Sequence, residues 1–138
     1  MTAARSRVFI FPCGSEVGLE LHRALVHSSY FDLIGGSSVP DHGSFAYANY
    51  VGGLPFIGDE ALLAAVQQVV NEHGVNFIFP AHDAAVTLFS EWEARGYCHP
   101  ARVIASPFET CRLVRSKSRT YSRLSGVIST PIVYRSIE

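Results

Sequence analysis

The chain is 138 residues long, 48% hydrophobic and 17% charged, with a formal net charge of −1. That length and balance fit one domain with a single core and exclude a disordered chain. No run approaches the roughly 18 apolar residues of a membrane helix, so no membrane partner is expected.

Met1 to Arg7 leads straight into the first strand without the apolar region of a secretory leader. Cys13, Cys98 and Cys111 are odd in number and form no C-x-x-C pair. Reduced thiols in a cytoplasmic protein are the expectation.

The run Val8-Phe9-Ile10-Phe11 is continuously apolar and stops at Pro12. It predicts a strand buried on both faces, as inside a parallel sheet. Gly14 and Gly18 flank Ser15, Glu16 and Val17, and a helical period follows through Val17, Leu21, Ala24 and Leu25 to about Ser28. A glycine-bearing turn between strand and helix aims backbone N–H groups and the positive helix end at the carboxyl edge of the sheet. Open α/β folds bind anionic ligands there; the plainer alternative is that the glycines only allow close strand–helix packing. A second strand is predicted over Asp32 to Gly35, ending in Gly35-Gly36-Ser37-Ser38. Residues 40–55 are rich in Gly, Ser, Asp, Asn and Tyr and lack a period. They predict either a functional loop or an ordered surface loop.

Asp59 is placed to cap a helix with Leu62, Leu63, Val66, Val69 and Val70 facing inward and Gly74 at its stop. Asn76 to Phe79 is the predicted third strand, stopped by Pro80. Pro80-Ala81-His82-Asp83 then turns into a helix carrying Val86, Phe89 and Trp92 and closed by Gly96, with Asp83 a candidate N-cap. A fourth strand is predicted over Arg102 to Ala105. Ser106-Pro107-Phe108-Glu109 reads as a capping box with proline at the first helical position, opening a helix to about Arg115. A shorter helix, Arg119 to Leu124, ends at Gly126, and Ile132-Val133-Tyr134 begins another β-type segment. Four strand–helix alternations predict an α/β, Rossmann-like three-layer domain. Its sheet should be mainly parallel, with four to five strands and right-handed crossovers.

Charge is unevenly placed. Residues 1–100 hold four Arg against ten acids, and residues 101–138 hold seven Lys or Arg against two acids. The basic C-terminal stretch is either a solvated helix face or a site for phosphate or another anion. It lacks the interleaved aromatic platform of a nucleic-acid surface. The dinucleotide fingerprint is missing, and no ribose-binding acid follows the second strand. A P-loop is excluded because no Lys-Ser or Lys-Thr follows the glycines. Cys13 sits where a helix N-terminus could activate a nucleophile. No arginine follows it to hold an anionic substrate, and an inert packed thiol is the plainer reading. The six histidines show no metal-ligand spacing, and no paired carboxylates for a metal are visible. No catalytic residue is assigned. His82 and Asp83 stand apart by position, at a strand's carboxyl end beside the glycine turn.

Ser116-Lys117, Thr120-Tyr121, Leu124, Gly126-Val127 and Thr130-Pro131 resemble the junction of ATP-grasp ligases. There an Asp-Lys pair, a Thr and Leu on a helix, and a Gly-Ile-Pro-x-Pro segment lead into the ATP-binding fold. The preceding order also looks like that family's N-terminal, pre-ATP-grasp domain. It runs strand, glycine turn and helix, then a Pro-x-x-Asp turn after the third strand, then a Ser-Pro helix start. The carbamoyl-phosphate-synthase large-subunit-like members are the most similar. Two features depart from the pattern: Ser116 stands where the family has Asp, and Val-Ile-Ser-Thr-Pro is one residue longer than the usual turn.

The resemblance implies a pre-ATP-grasp domain over residues 1–115, with a linker helix and the start of an ATP-grasp domain over 116–138. It implies Lys117 as the contact to nucleotide phosphate. It further implies a substrate pocket walled by Gly14, Ser15, Glu16 and Gly18, by Ser37, and by Pro80, His82 and Asp83. ATP and Mg²⁺ would be bound only in the full-length protein. The partners would be the ATP-grasp domain and a small carboxylate or amine, and alone the domain could dimerise through an uncovered apolar tail. The rival expectation is a free-standing Rossmann-like module that binds a small anion or nucleotide without chemistry, its tail packed as an edge strand.

Overall fold

The computed structural model describes residues 4–132 and Tyr134. It holds five strands, β1 (Ser6–Phe11), β2 (Phe31–Gly36), β3 (Asn49–Val51), β4 (Phe77–Pro80) and β5 (Arg102–Val103). Six helices accompany them: α1 (Glu16–Leu25), α2 (Gly43–Ala46), α3 (Ala61–His73), α4 (Asp83–Ala94), α5 (Phe108–Val114) and α6 (Lys117–Leu124). The strands form one sheet in the order β3-β2-β1-β4-β5, and every pairing is parallel. The fold is therefore α/β with helices on both faces, a Rossmann-like three-layer arrangement. Among the described residues no helix is long and apolar enough to cross a membrane.

β1 is the central strand because both of its faces find apolar partners. Phe9 and Phe11 point into a cluster with Leu62, Val66, Val70, Phe89 and Trp92 of α3 and α4. Val8 and Ile10 point the other way, with Tyr47 and the half-buried Leu21 of α1. Residues alternate faces along a strand, so an unbroken apolar run fills two cores at once. Phe9, Phe11, Phe89 and Trp92 stack in sequence, with ring centroids 6.3, 5.8 and 4.6 Å apart.

α3 follows its sequence signals closely. Asp59 Oδ1 accepts from the Ala61 N–H at 2.8 Å, four of the five expected inward residues are buried with Leu63 partly so, and Gly74 ends the helix at φ 58°. That left-handed conformation costs glycine little.

Several expectations are corrected. Residues 40–55 contain the short α2 and the edge strand β3; a three-residue strand is too short to show a period. The buried face of α1 runs through Gly18 rather than Val17, which is 53% exposed, and Ala24 is exposed too. Gly18 seats against the Cys13 backbone and so sets the rotation of the helix. Ser106 forms no capping box: Pro107 is the extended residue before α5 and no side chain caps it. The Ser106 carbonyl instead accepts from the Cys111 thiol at 3.2 Å. α6 starts at Lys117, capped by the Ser116 hydroxyl, which accepts from the Arg119 N–H. β5 is only two residues long. Neither Ile132 nor Tyr134 joins the sheet, and Val133 lies outside the described residues.

Candidate functional site

The strand order reverses direction at β1: the chain moves outward to β2 and β3, then returns to place β4 on the other side. In open α/β sheets such a switch point leaves a crevice at the carboxyl ends of the strands. Here those ends belong to β1 and β4, whose last residues Phe11 and Pro80 are register partners. Beyond them the Cys13 N–H donates to Gly36 O and the Ala81 N–H to Phe11 O, each at 2.8 Å. The turns after β1, β2 and β4 are thus stitched together by backbone.

Ser15 joins two of these turns. Its Oγ accepts from the Gly18 N–H at 3.0 Å as the N-cap of α1. Its hydroxyl proton reaches either Pro12 O at 2.9 Å or Ala81 O at 2.8 Å. Gly18 is required by crowding, since a β-carbon there would stand 2.5 Å from Cys13 O and 2.8 Å from Pro12 O. The Tyr47 hydroxyl donates to Gly18 O at 2.6 Å and holds α2 against α1.

The third turn contributes a carboxylate. Asp41 accepts from the buried Ser37 hydroxyl and from the Gly43 N–H. It covers Gly14 so closely that a β-carbon on Gly14 would be 2.0 Å from Asp41 Cγ. The Cys13 thiol, 0% exposed, donates toward Ser37 Oγ at 3.9 Å. Burial pushes this thiol from 9.0 up to about 11; the Ser37 hydrogen bond opposes the rise and the Asp41 charge adds to it. A thiol so protonated and enclosed is a poor nucleophile, as the packed-cysteine reading expects.

Of the residues assigned by sequence, Gly14, Ser15, Glu16, Gly18, Ser37 and Pro80 converge on this edge, with His82 and Asp83 on the rim. Glu16, His82 and Asp83 are exposed, while Gly18, Ser37 and Pro80 are buried structural supports. The N-cap of α4 is His82, not Asp83: His82 Nδ1 accepts from the Ala84 N–H at 3.2 Å. Asp83 is already the first helical residue, too late to cap. Periodicity does not single out Asp41 or Tyr47; the one local signal was Asp41-x-Gly43, an Asx-turn pattern. Asp41 lies on the glycine turn, and Glu16 and Asp83 are exposed acids in the first turns of α1 and α4, where the positive helix ends stabilise them.

Lys117 lies elsewhere, exposed on the first turn of α6. α6 packs on α5, where the Thr120 hydroxyl reaches Leu113 O at 3.3 Å and Ser116 O at 3.0 Å. Among the described residues no hydrogen bond or ion pair links Lys117 to the carboxyl edge. Nor does any group of three His, Cys, Asp or Glu side chains offer a metal-ion site there. The sequence matches no protein-family model and no curated protein.

Proposed function

We propose that this domain forms one wall of the acceptor-substrate pocket of an ATP-grasp ligase and catalyses nothing alone. The observation that carries the reading is the Ser15 hydroxyl within 2.8 Å of Ala81 O. It ties together on one sheet edge the two turns that the family resemblance assigns to that pocket. In such a ligase a carboxylate oxygen attacks the γ-phosphorus of ATP, giving an acyl phosphate and ADP. An amine nitrogen then attacks the acyl carbon, loses a proton and expels phosphate, forming the carbon–nitrogen bond. The acidic rim of Glu16, Asp41 and Asp83 suits the amine rather than the carboxylate. Lys117 would supply its ammonium group to a nucleotide phosphate. Among the described residues no group of three His, Cys, Asp or Glu side chains is placed to hold a metal ion, and no step is assigned to Mg²⁺ on this chain.

A second feature supports a covering domain. Val114, Val127, Ile128, Ile132 and Tyr134 are 56 to 79% exposed, a run of apolar side chains near the C-terminal end that a neighbouring domain would bury. The test is an immunoblot of the source cells with an antibody to this domain. A band larger by on the order of 150 residues, with ATP-dependent ligase activity, is expected. A band at 15.1 kDa with no co-purifying ATP-binding protein would overturn the proposal.

A further inference from the structure

We infer that the groove between α5 and α6 is a binding site for a phosphate-bearing anion, separate from both the carboxyl edge and Lys117. It stands on the two helices alone and does not depend on the ligase reading. The groove has a volume of about 460 Å³ and is lined by Glu109, Arg112, Leu113, Arg119 and Arg123. Arg119 and Arg123 are four residues apart and so share one face of α6, with Arg112 across the groove on α5. Like charges at this spacing destabilise a helix, and α6 contains no acid to offset them. Glu109 is already paired with Arg112 at 2.7 Å. Among the described residues Arg119 and Arg123 form no ion pair, so the groove carries uncompensated positive charge.

The chemistry of the lining narrows the ligand. Guanidinium groups present rigid forks of donors that match phosphate oxygens bidentately. The two forks on α6 can grip one compact, multiply charged group, and Arg112 can join from α5 by giving up its exposed pairing with Glu109. No aromatic ring lines the groove, so a nucleobase would have nothing to stack on. An extended acidic peptide would spread its charges along a chain and meet Glu109 at one end. The bond from Thr120 to Leu113 O joins the two helices, so on binding the ordering falls on the exposed arginine side chains rather than on the helix backbones.

The probe is pyrophosphate, titrated into the chain at low and at physiological salt, followed by arginine side-chain NMR and calorimetry. Saturable binding is expected, weakened by about tenfold in Arg119→Gln/Arg123→Gln. Arg102→Gln should bind as the wild type does; its guanidinium pairs with Glu93 outside the groove. Circular dichroism checks that each variant is folded. Should the glutamine pair lose helix, the charge-preserving pair Arg119→Lys/Arg123→Lys takes its place and should still weaken binding severalfold. ATP binding no tighter than pyrophosphate would assign a free polyphosphate, and ATP binding tighter would assign a nucleotide; both uphold the site. Absence of saturation, equal weakening in Arg102→Gln, or hexaglutamate binding as tightly as pyrophosphate would each overturn it.

Discussion

The Asp41 carboxylate lies against the α-carbon of Gly14, so close that a methyl group there would stand 2.0 Å from Cγ. The turn that opens α1 is therefore lidded by a negative side chain from the segment after β2. That carboxylate is held in place by the Ser37 hydroxyl and the Gly43 N–H. The pairing makes a double-mutant test possible. Gly14→Ala should displace Asp41 and lose its bonds to Ser37 and Gly43, costing about 1–3 kcal/mol. In an Asp41→Ala background, which removes the clashing atoms, the same change should be close to neutral. Urea unfolding of the four proteins measures the coupling, and strictly additive costs would refute the contact.

Gly18→Ala should behave in the opposite sense to its helix propensity. In an exposed helix the change stabilises by roughly 0.5–1 kcal/mol. Here the new methyl would meet Cys13 O at 2.5 Å, a backbone atom that cannot swing away. A loss of about 1–3 kcal/mol is expected, read as a lowered denaturation midpoint.

Alkaline pH should destabilise the fold through its buried thiols. A raised thiol value means the folded state keeps the proton after the unfolded chain has released it. The contribution is complete below 9.0, the ordinary thiol value, and disappears as pH climbs to about 11 for Cys13. For Cys98, raised to about 12 by burial and then by the Glu93 charge, the loss extends further. For Cys13 it amounts to roughly 2–3 kcal/mol across that window. Denaturant midpoints measured from neutral pH upward should hold level and then fall, with a shallower fall in Cys13→Ala. An unchanged slope in that variant would show that Cys13 is not the group responsible.

Phe89→Ala removes the ring between Phe11 and Trp92, at a fully buried position. The expected cost is about 3–5 kcal/mol, a large share of the stability of a domain this size. Loss of the tryptophan's distinctive near-ultraviolet signal should accompany it. A cost below about 1 kcal/mol would mean that the stack relaxes around the gap.

The parts of the fold legible in sequence were those held by local signals. The run Val8–Phe11 announced a two-sided central strand, and Asp59, Val66 and Gly74 marked the start, face and end of α3. Where a signal needed a distant partner, the reading slipped. Val17 fits a helical period as well as Gly18 does, and only the Cys13 backbone decides which side faces in. Ser106-Pro-Phe-Glu has the letters of a capping box, yet Pro107 stays extended and the helix begins one residue later. At the candidate site, Gly14, Ser15 and Pro80 were visible because strand-to-helix turns are visible. Asp41 and Tyr47 were hidden because their roles arise from packing, Asp41 against Gly14 and Tyr47 against Gly18 of α1.

The sequence by itself determined the class of the protein. Hydrophobic period and glycine or proline punctuation act over a few residues, and four alternations of strand and helix leave a parallel α/β sheet as their packed solution. Only the tertiary structure decided that β4 pairs with β1 on the side away from β2 and that β3 extends the edge of the sheet. It alone seated Asp41 on Gly14 and brought Arg112 opposite Arg119 and Arg123. Asp41 is 27 positions from Gly14, and Arg112 is 7 and 11 positions from Arg119 and Arg123, so these relationships depend on which surfaces meet when the helices fold onto the sheet. Burial and crowding at those surfaces are properties of the whole chain, and no local pattern encodes them.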